Sequence, residues 1–514
     1  MSGAASRYPC RQCVRCAGPY FRTPGHKPAV SAAGPEPVLT PPAPPVRPAP
    51  ALRSAGASQL VGPGGEQVIK GCHGTGAYGA LVAWVIAGTG MLMLAFVFQA
   101  LAIRKPDLDA GVYAYAKAGF GEYLGFFSAW GYWASACIGN VTYWVLVTST
   151  LGRLWPGVFG DGDTVAAVLL GSAGIWIFYI LIARGVQEAA AINKIVTVAK
   201  IVPILTFIVV VIFGLKAHVF SANLWGGEAH TASALFGQVR ATMLTTVFVF
   251  LGIEGATVYS RYAKRRQDVG RATVIGFAGV LALMVAVTVF SYGILSRADL
   301  QHLRQPSMAG VMESVVGYWG TAFISVGVIV SVLGAYLAWT LMSAEVLYVA
   351  AKDRDMPSFL ARTTGKNVPL PALIMTSVLI QLALVITLFS ADAFTFTLKL
   401  CSSLSLIPYL LAAAYALKLG ASGETYDVRP QERTKQLFVA GLATFYTVFL
   451  VFAAGLDFLL LSFIIYAPGT ILFVMSRREQ NRRAFSPAEL AICVIAVAGF
   501  ISGIAALATG AITI

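Results

Sequence analysis

Twelve times between residues 77 and 511 the sequence runs for about 20 residues with scarcely a charge, the length a helix needs to cross a bilayer. In lipid every backbone polar group must find its partner inside the protein, so such runs fold as helices. Spans are expected at 77–101, 122–150, 163–183, 190–214, 237–260, 272–296, 319–350, 371–391, 393–417, 436–454, 458–475 and 487–511. The loops set their orientation. Twenty-two Lys and Arg residues, from Arg104, Lys105 and Lys117 to Arg477, Arg478, Arg482 and Arg483, share one side, against only Arg153, Lys216, Arg297 and Arg304 on the other. The basic side is cytoplasmic. A composition 57% hydrophobic and 12% charged excludes a soluble globular protein. The formal charge of +14 lies in these loops, which argues against nucleic acid as a partner.

Residues 1–76 are rich in Pro, Ala, Gly and Arg, with no run long enough to span and no secretory-signal core. Pro41–Pro50 (PPAPPVRPAP) is expected to be extended and solvated, so 1–76 reads as a disordered tail before a membrane domain over 77–514. Cys10, Cys13 and Cys16 have metal-like spacing but no fourth ligand nearby, and seven scattered cysteines make no disulfide framework. No metal or other cofactor is expected. Because the span at 77–101 ends in the cytoplasm, the tail must start outside. It carries Arg7, Arg11, Arg15, Arg22, Lys27, Arg47, Arg53 and Lys70 against Glu36 and Glu66, and a basic tail of that kind belongs inside. The parity asks for one more span before residue 77, and residues 1–76 contain none.

From Met243 to Tyr259 the one acidic or basic side chain is Glu254, within Phe248-Val249-Phe250-Leu251-Gly252-Ile253-Glu254-Gly255-Ala256. A carboxylate at that depth costs several kcal/mol unless it is partnered or reaches water. Gly252 and Gly255 weaken the helix there, and freed backbone groups are tolerated in a membrane only around a polar cavity. The alternative is a Gly-x-x-Gly packing face with Glu254 in a hydrogen bond. The coincidence of buried charge and helix breakers favours a transport site. Asn140 brings a donor and an acceptor into another span, as a ligand contact or as interhelical glue worth about 1 kcal/mol. Trp339 offers an indole face that attracts a desolvated cation by ~2 kcal/mol, or else packs the interior. Lys200 either takes part in proton coupling or snorkels to the cytoplasmic interface. Arg240 and Glu345, near span ends, read as interfacial anchors.

Five stretches carry a family resemblance: GMLMLAFVFQALAIRKPDLDAGVYAYAKAGFG (Gly90–Gly121), AWGYWASACIGN (Ala129–Asn140), FLGIEGA (Phe250–Ala256), LGAYLAWTLMSAE (Leu333–Glu345) and LIPYL (Leu406–Leu410). From about Gly76 onward the chain resembles the bacterial basic amino-acid antiporters of the amino acid–polyamine–organocation superfamily, most of all the arginine/ornithine exchangers. The resemblance implies two inverted five-helix repeats around a midplane site, each with an unwound first helix. It makes Gly252, Ile253 and Gly255 part of the unwound substrate-binding segment and Glu254 a gate carboxylate that senses protons. It makes Asn140 a substrate contact, Trp339 a stacking partner for a guanidinium and Tyr409 a gate tyrosine. Cys401 stands where relatives place a small hydroxyl residue, and Phe248 where close relatives carry Trp. Lys200 matches a lysine that replaces the sodium ion of sodium-coupled cousins. Lys399 adds an unexpected positive charge near Cys401. The G-S-G-[IV] segment of the first family helix is absent, since Val61–Gly65 (VGPGG) runs into a polar stretch.

The expectation is an all-α polytopic membrane protein of the inverted-repeat (5+5) transporter fold, lacking its first transmembrane helix. Its expected role is exchange of basic amino acids, arginine inward for ornithine or a decarboxylated product outward, across the bacterial inner membrane. It is not expected to be an enzyme, because no cluster of His, Cys or carboxylates falls in the spans. Expected partners are a basic amino acid, the lipid bilayer and a second copy in a homodimer. Two rivals stand beside this reading: an inactive product lacking the first helix, and an ion- or proton-coupled amino-acid symporter. Without that helix, Glu254, Asn140 and Trp339 would border a groove open to lipid, and the chain would insert poorly or fail to exchange arginine.

Overall fold

Apolar runs separated by short polar loops give helices throughout. The computed structural model describes residues 75–108, 111–185, 189–225, 230–254, 266–365, 367–427 and 430–512, and no β-strand occurs among them. The principal helices are α1 (Ala77–Arg104), α2 (Val112–Phe120), α3 (Glu122–Leu154), α4 (Val165–Ala183), α5 (Ala189–Gly214), α6 (Ala232–Phe250) and α7 (Arg266–Ser291). They continue with α8 (Ser307–Val316), α9 (Tyr318–Lys352), α10 (Leu370–Ile386), α11 (Ala393–Ser422), α12 (Gln431–Glu479) and α13 (Pro487–Ala508). Among the described residues nine helices are long and apolar enough to cross a membrane, or ten spans if α5 and the short helix Ala217–Asn223, bent 104° from it, count as one. The chain is therefore a multi-pass membrane protein. The tail, the Cys10–Cys13–Cys16 run and the expectation of a missing first helix lie outside the described residues, apart from Thr75 and Gly76.

All twelve expected spans fall on helices, with three differences of physical interest. The run expected at 237–260 stops as a helix at Phe250. The runs at 436–454 and 458–475 are the two arms of α12, which break at Gly455, where φ is 77° and ψ is 172°. A straight helix of 49 residues would reach roughly 74 Å, more than twice the bilayer core. Instead, Gln436 near one end bonds Arg104, and Ser476 near the other bonds the carbonyl of Arg354, both on the cytoplasmic side, so the element doubles back. Lastly, the short helices α2, Ala217–Asn223, Arg297–Gln301 and α8 lie between spans, below the length that a membrane-sized window detects.

Helix α3 is central and almost wholly buried, and it falls outside the apolar count because Ser, Thr, Asn, Tyr and Gly dilute its 33 residues. Small residues let its neighbours approach. A Cβ on Gly131 would meet the Tyr466 ring of α12, and one on Gly139 would sit 3.2 Å from Cys401 Sγ of α11. On α9, Gly327 receives Pro203 of α5 in the same way.

Ion pairs join loops within each of the two sets that loop charge separates. Arg104 with Glu432, Lys105 with Glu424, Lys117 with Asp355, and Arg477 and Arg482 with Glu122 all join residues assigned to the cytoplasm. Arg153 with Glu313 and Arg304 with Asp161 join outer loops.

Candidate functional site at a broken helix

Helix α6 ends because Leu251 turns extended (φ −59°, ψ 133°) and Gly252 takes φ 100°, a conformation that side chains rarely adopt. Its last residue, Phe250, is anchored between Trp84 of α1 (ring centroids 6.0 Å) and Phe277 of α7 (4.8 Å). The hydroxyl of Ser402 on α11 donates to the Leu244 carbonyl at 2.7 Å, tying α6 to α11 just before the break. The break inferred from the two glycines is thus real at Gly252. Gly255 lies outside the described residues.

Beyond the break Glu254 is 2% exposed and held from two sides. The Tyr132 hydroxyl of α3 donates to its Oε1 at 2.5 Å, and the Tyr409 hydroxyl of α11 donates to its Oε2 at 2.6 Å. Both distances lie at the short end of the ordinary O–H···O range. The carboxylate thereby joins three elements, and any movement that parts α3 from α11 has to break at least one of these bonds.

Eight residues further along α3, roughly 12 Å at 1.5 Å per residue and toward the outer side, stands Asn140, fully buried. Its Nδ2 donates to Thr340 Oγ1 of α9 at 3.1 Å, while Thr340 spends its own proton on the Tyr336 carbonyl at 2.8 Å. Because the Thr340 oxygen can then only accept, the Asn140 amide is oriented: its NH₂ faces Thr340, and its oxygen is turned away, without a partner among the described residues. Trp339, next to Thr340, is 8% exposed. The amide oxygen of Asn140, the Trp339 indole and the clamped Glu254 carboxyl are thus all buried, on α3, α9 and the break after α6.

The remaining expected residues distribute as follows. Phe248 is buried, edge-on to Tyr143 of α3 at 6.4 Å, and Ile253 is buried in the break. Cys401 is buried where α11 meets α3, with Ser135 Oγ 2.7 Å from its carbonyl and 3.4 Å from its sulfur. Lys399, half-buried and two residues before Cys401, points along another face of α11. Lys200 is 4% exposed on α5, one residue from Ala199, whose carbonyl lies against Gly327 of α9. Arg240 and Glu345 are exposed. One expectation is overturned: Glu254, Asn140 and Trp339 do not border an open groove, since all three are enclosed by packed neighbours.

Sequence reading missed Tyr132, Ser135 and Thr340. The signal for the first two was present, because 132, 135, 136, 139, 140, 143 and 144 follow one helical stripe of α3. Starting from Asn140 and stepping back by turns reaches both. Thr340 carries no such signal in the sequence, since its role comes from meeting Asn140 across 200 positions.

Known proteins bear directly on this arrangement. The family model described as amino acid permease matches residues 56–475, starting 21 residues ahead of the domain expected from residue 77. An arginine/ornithine antiporter of Pseudomonas aeruginosa is 48% identical over 440 residues, covering 84% of this chain and 91% of that protein. An L-lysine transport protein of Corynebacterium glutamicum is 39% identical over 463 residues (87% and 92%), and an arginine/agmatine antiporter of Chlamydia abortus 34% over 434 residues (83% and 89%). With the broken α6 and the helices around it inside the matched region, and similarity running through nearly the whole length of these transporters, the chain belongs to the amino acid permease family.

Proposed function

We propose that this protein exchanges basic amino acids across the bacterial inner membrane, with arginine entering against ornithine or a decarboxylated product. The observation that carries the reading is the carboxylate of Glu254, buried at a helix break and held by one phenol from α3 and one from α11. The transporters most like this chain include arginine/ornithine and arginine/agmatine antiporters, which favours exchange over symport. Similarity over nearly the whole length of these antiporters favours an exchanger over an inactive product.

In this reading the substrate's cationic end lies against the Trp339 indole and donates to the Asn140 oxygen. Cys401 and Phe248 close the sides, and Gly252 and Ile253 shape the break beside them. Tyr132 and Tyr409 hold Glu254 on the cytoplasmic side of this level. Opening inward parts them, and bound substrate shifts the equilibrium by its difference in affinity for the two states. Lys200, enclosed on α5 near α9, is the lysine expected to take part in proton coupling rather than to snorkel. The test is exchange in proteoliposomes by the Asn140→Ala and Glu254→Gln variants. Loss of arginine affinity in the first and of pH sensitivity in the second supports the assignment, and parent-like behaviour of both contradicts it.

A further inference from the structure

Next to Asn140 the interface between α3 and α9 contains a set of polar atoms that the transport reading does not use. The two helices run antiparallel, so Asn140 faces Thr340 and, one turn toward the outer side, Trp144 faces Tyr336, their rings 5.4 Å apart and edge to face. Trp144 is seated by Gly174 of α4, where any Cβ would collide with the indole, and Phe178 packs edge-on against Tyr336 at 5.1 Å. Asn140, Trp144 and Tyr336 are 0%, 5% and 1% exposed. Three of their atoms, Asn140 Oδ1, Trp144 Nε1 and the Tyr336 hydroxyl, have no full hydrogen bond among the described residues. The Tyr336 hydroxyl lies close to both Trp144 and Thr340.

Such atoms rarely stay unsatisfied, and the chemistry of this set is specific. An indole N–H only donates, the amide oxygen only accepts, and the phenol has one proton to give. One water molecule between them would complete the set, accepting from Trp144 and Tyr336 and donating to Asn140, the usual three bonds of a buried water. We propose that Trp144 and Tyr336 are positioning residues for Asn140, acting through one water bound between α3 and α9. The amide oxygen has two lone pairs. The water takes one and holds the oxygen in the orientation that Thr340 imposes, leaving the other for an N–H of the substrate. Removing either donor weakens that hold and lets the amide turn its NH₂ toward a cation. This inference rests on the reading of Asn140 as a substrate contact.

The test uses the full chain in proteoliposomes, with labelled arginine uptake measured for Tyr336→Phe and Trp144→Phe in the parent and in an Asn140→Ala background. Each substitution is expected to raise the KM for arginine about tenfold, with the maximal rate kept, by loss of one hydrogen bond to the shared water. Neither should change KM further in the Asn140→Ala background. Equal increments in both backgrounds, or no increment in the parent, overturn the proposal. If Asn140→Ala itself leaves KM unchanged, the substrate-contact reading fails, and the water site is then decided separately by a high-resolution map of the unmodified protein. Density about 3 Å from all three atoms supports the site, and a map without it overturns it. The same map decides the matter if the aromatic variants do not fold.

Discussion

Tyr409→Phe is the most informative single change to the carboxylate clamp. It removes one hydroxyl and nothing else from a fully buried ring that also packs edge-on to Phe98 at 5.8 Å. What is lost is a 2.6 Å bond to Glu254 Oε2, and a hydrogen bond to a charged group is worth about 1.5–3 kcal/mol. That energy is present only while α3, the break and α11 are together, so its loss shifts the equilibrium toward the state in which they part by roughly 10- to 150-fold. External arginine then finds fewer outward-facing carriers, and its apparent affinity falls. The assay is uptake of labelled arginine at graded external concentrations by proteoliposomes filled with ornithine. Tyr132→Phe should behave alike, since it removes the 2.5 Å bond to Oε1. With Glu254→Gln already present, Tyr409→Phe should add little. An external KM within twofold of the parent in both single variants would refute the idea that the clamp sets the conformational equilibrium.

Three further outcomes are expected. Trp339→Ala should lower arginine affinity more than Trp339→Phe, because only the second keeps a π face for the guanidinium; equal losses in a binding measurement would point to packing instead. Glu254→Gln should flatten the pH dependence of exchange, as the amide has no proton to gain or lose, and an unaltered profile would assign the sensing elsewhere. At the cytoplasmic surface Lys117 Nζ lies 2.6 Å from Asp355 Oδ1, and burial pushes the Asp355 carboxyl up while Lys117 holds it down. Lys117→Met therefore leaves a buried carboxylate uncompensated. Its cost should fall below the ~3–5 kcal/mol of a fully buried pair, because the lysine is one-third exposed. Thermal unfolding in detergent should show a lower Tm, largely restored by adding Asp355→Asn.

How much of this was legible in the sequence depends on the kind of residue. The spans and their orientation follow from apolar length and loop charge, two signals that act over tens of residues and tolerate local exceptions. The break at Gly252 was readable because a glycine next to a buried carboxylate is costly unless both serve one purpose. Tyr132 was not read, although it stands on Asn140's own stripe of α3, because a tyrosine in a membrane helix is usually interfacial or packed. Its role comes from meeting Glu254 across 122 positions of sequence. The same limit applies to Trp144 and Tyr336, which read as ordinary core aromatics until their polar atoms are traced. The expectation of an open groove failed because side-chain enclosure depends on how every neighbour packs, which helix counting leaves out.

The central claim is exchange, and counterflow tests it most directly. Purified protein is placed in proteoliposomes loaded with unlabelled ornithine or with buffer alone, with no proton gradient, and labelled arginine is added outside. The account predicts rapid uptake only in the ornithine-loaded vesicles, abolished by excess external arginine and strongly reduced by Asn140→Ala. Uptake that is equal in loaded and empty vesicles and rises with an imposed proton gradient would contradict it and make the protein a symporter.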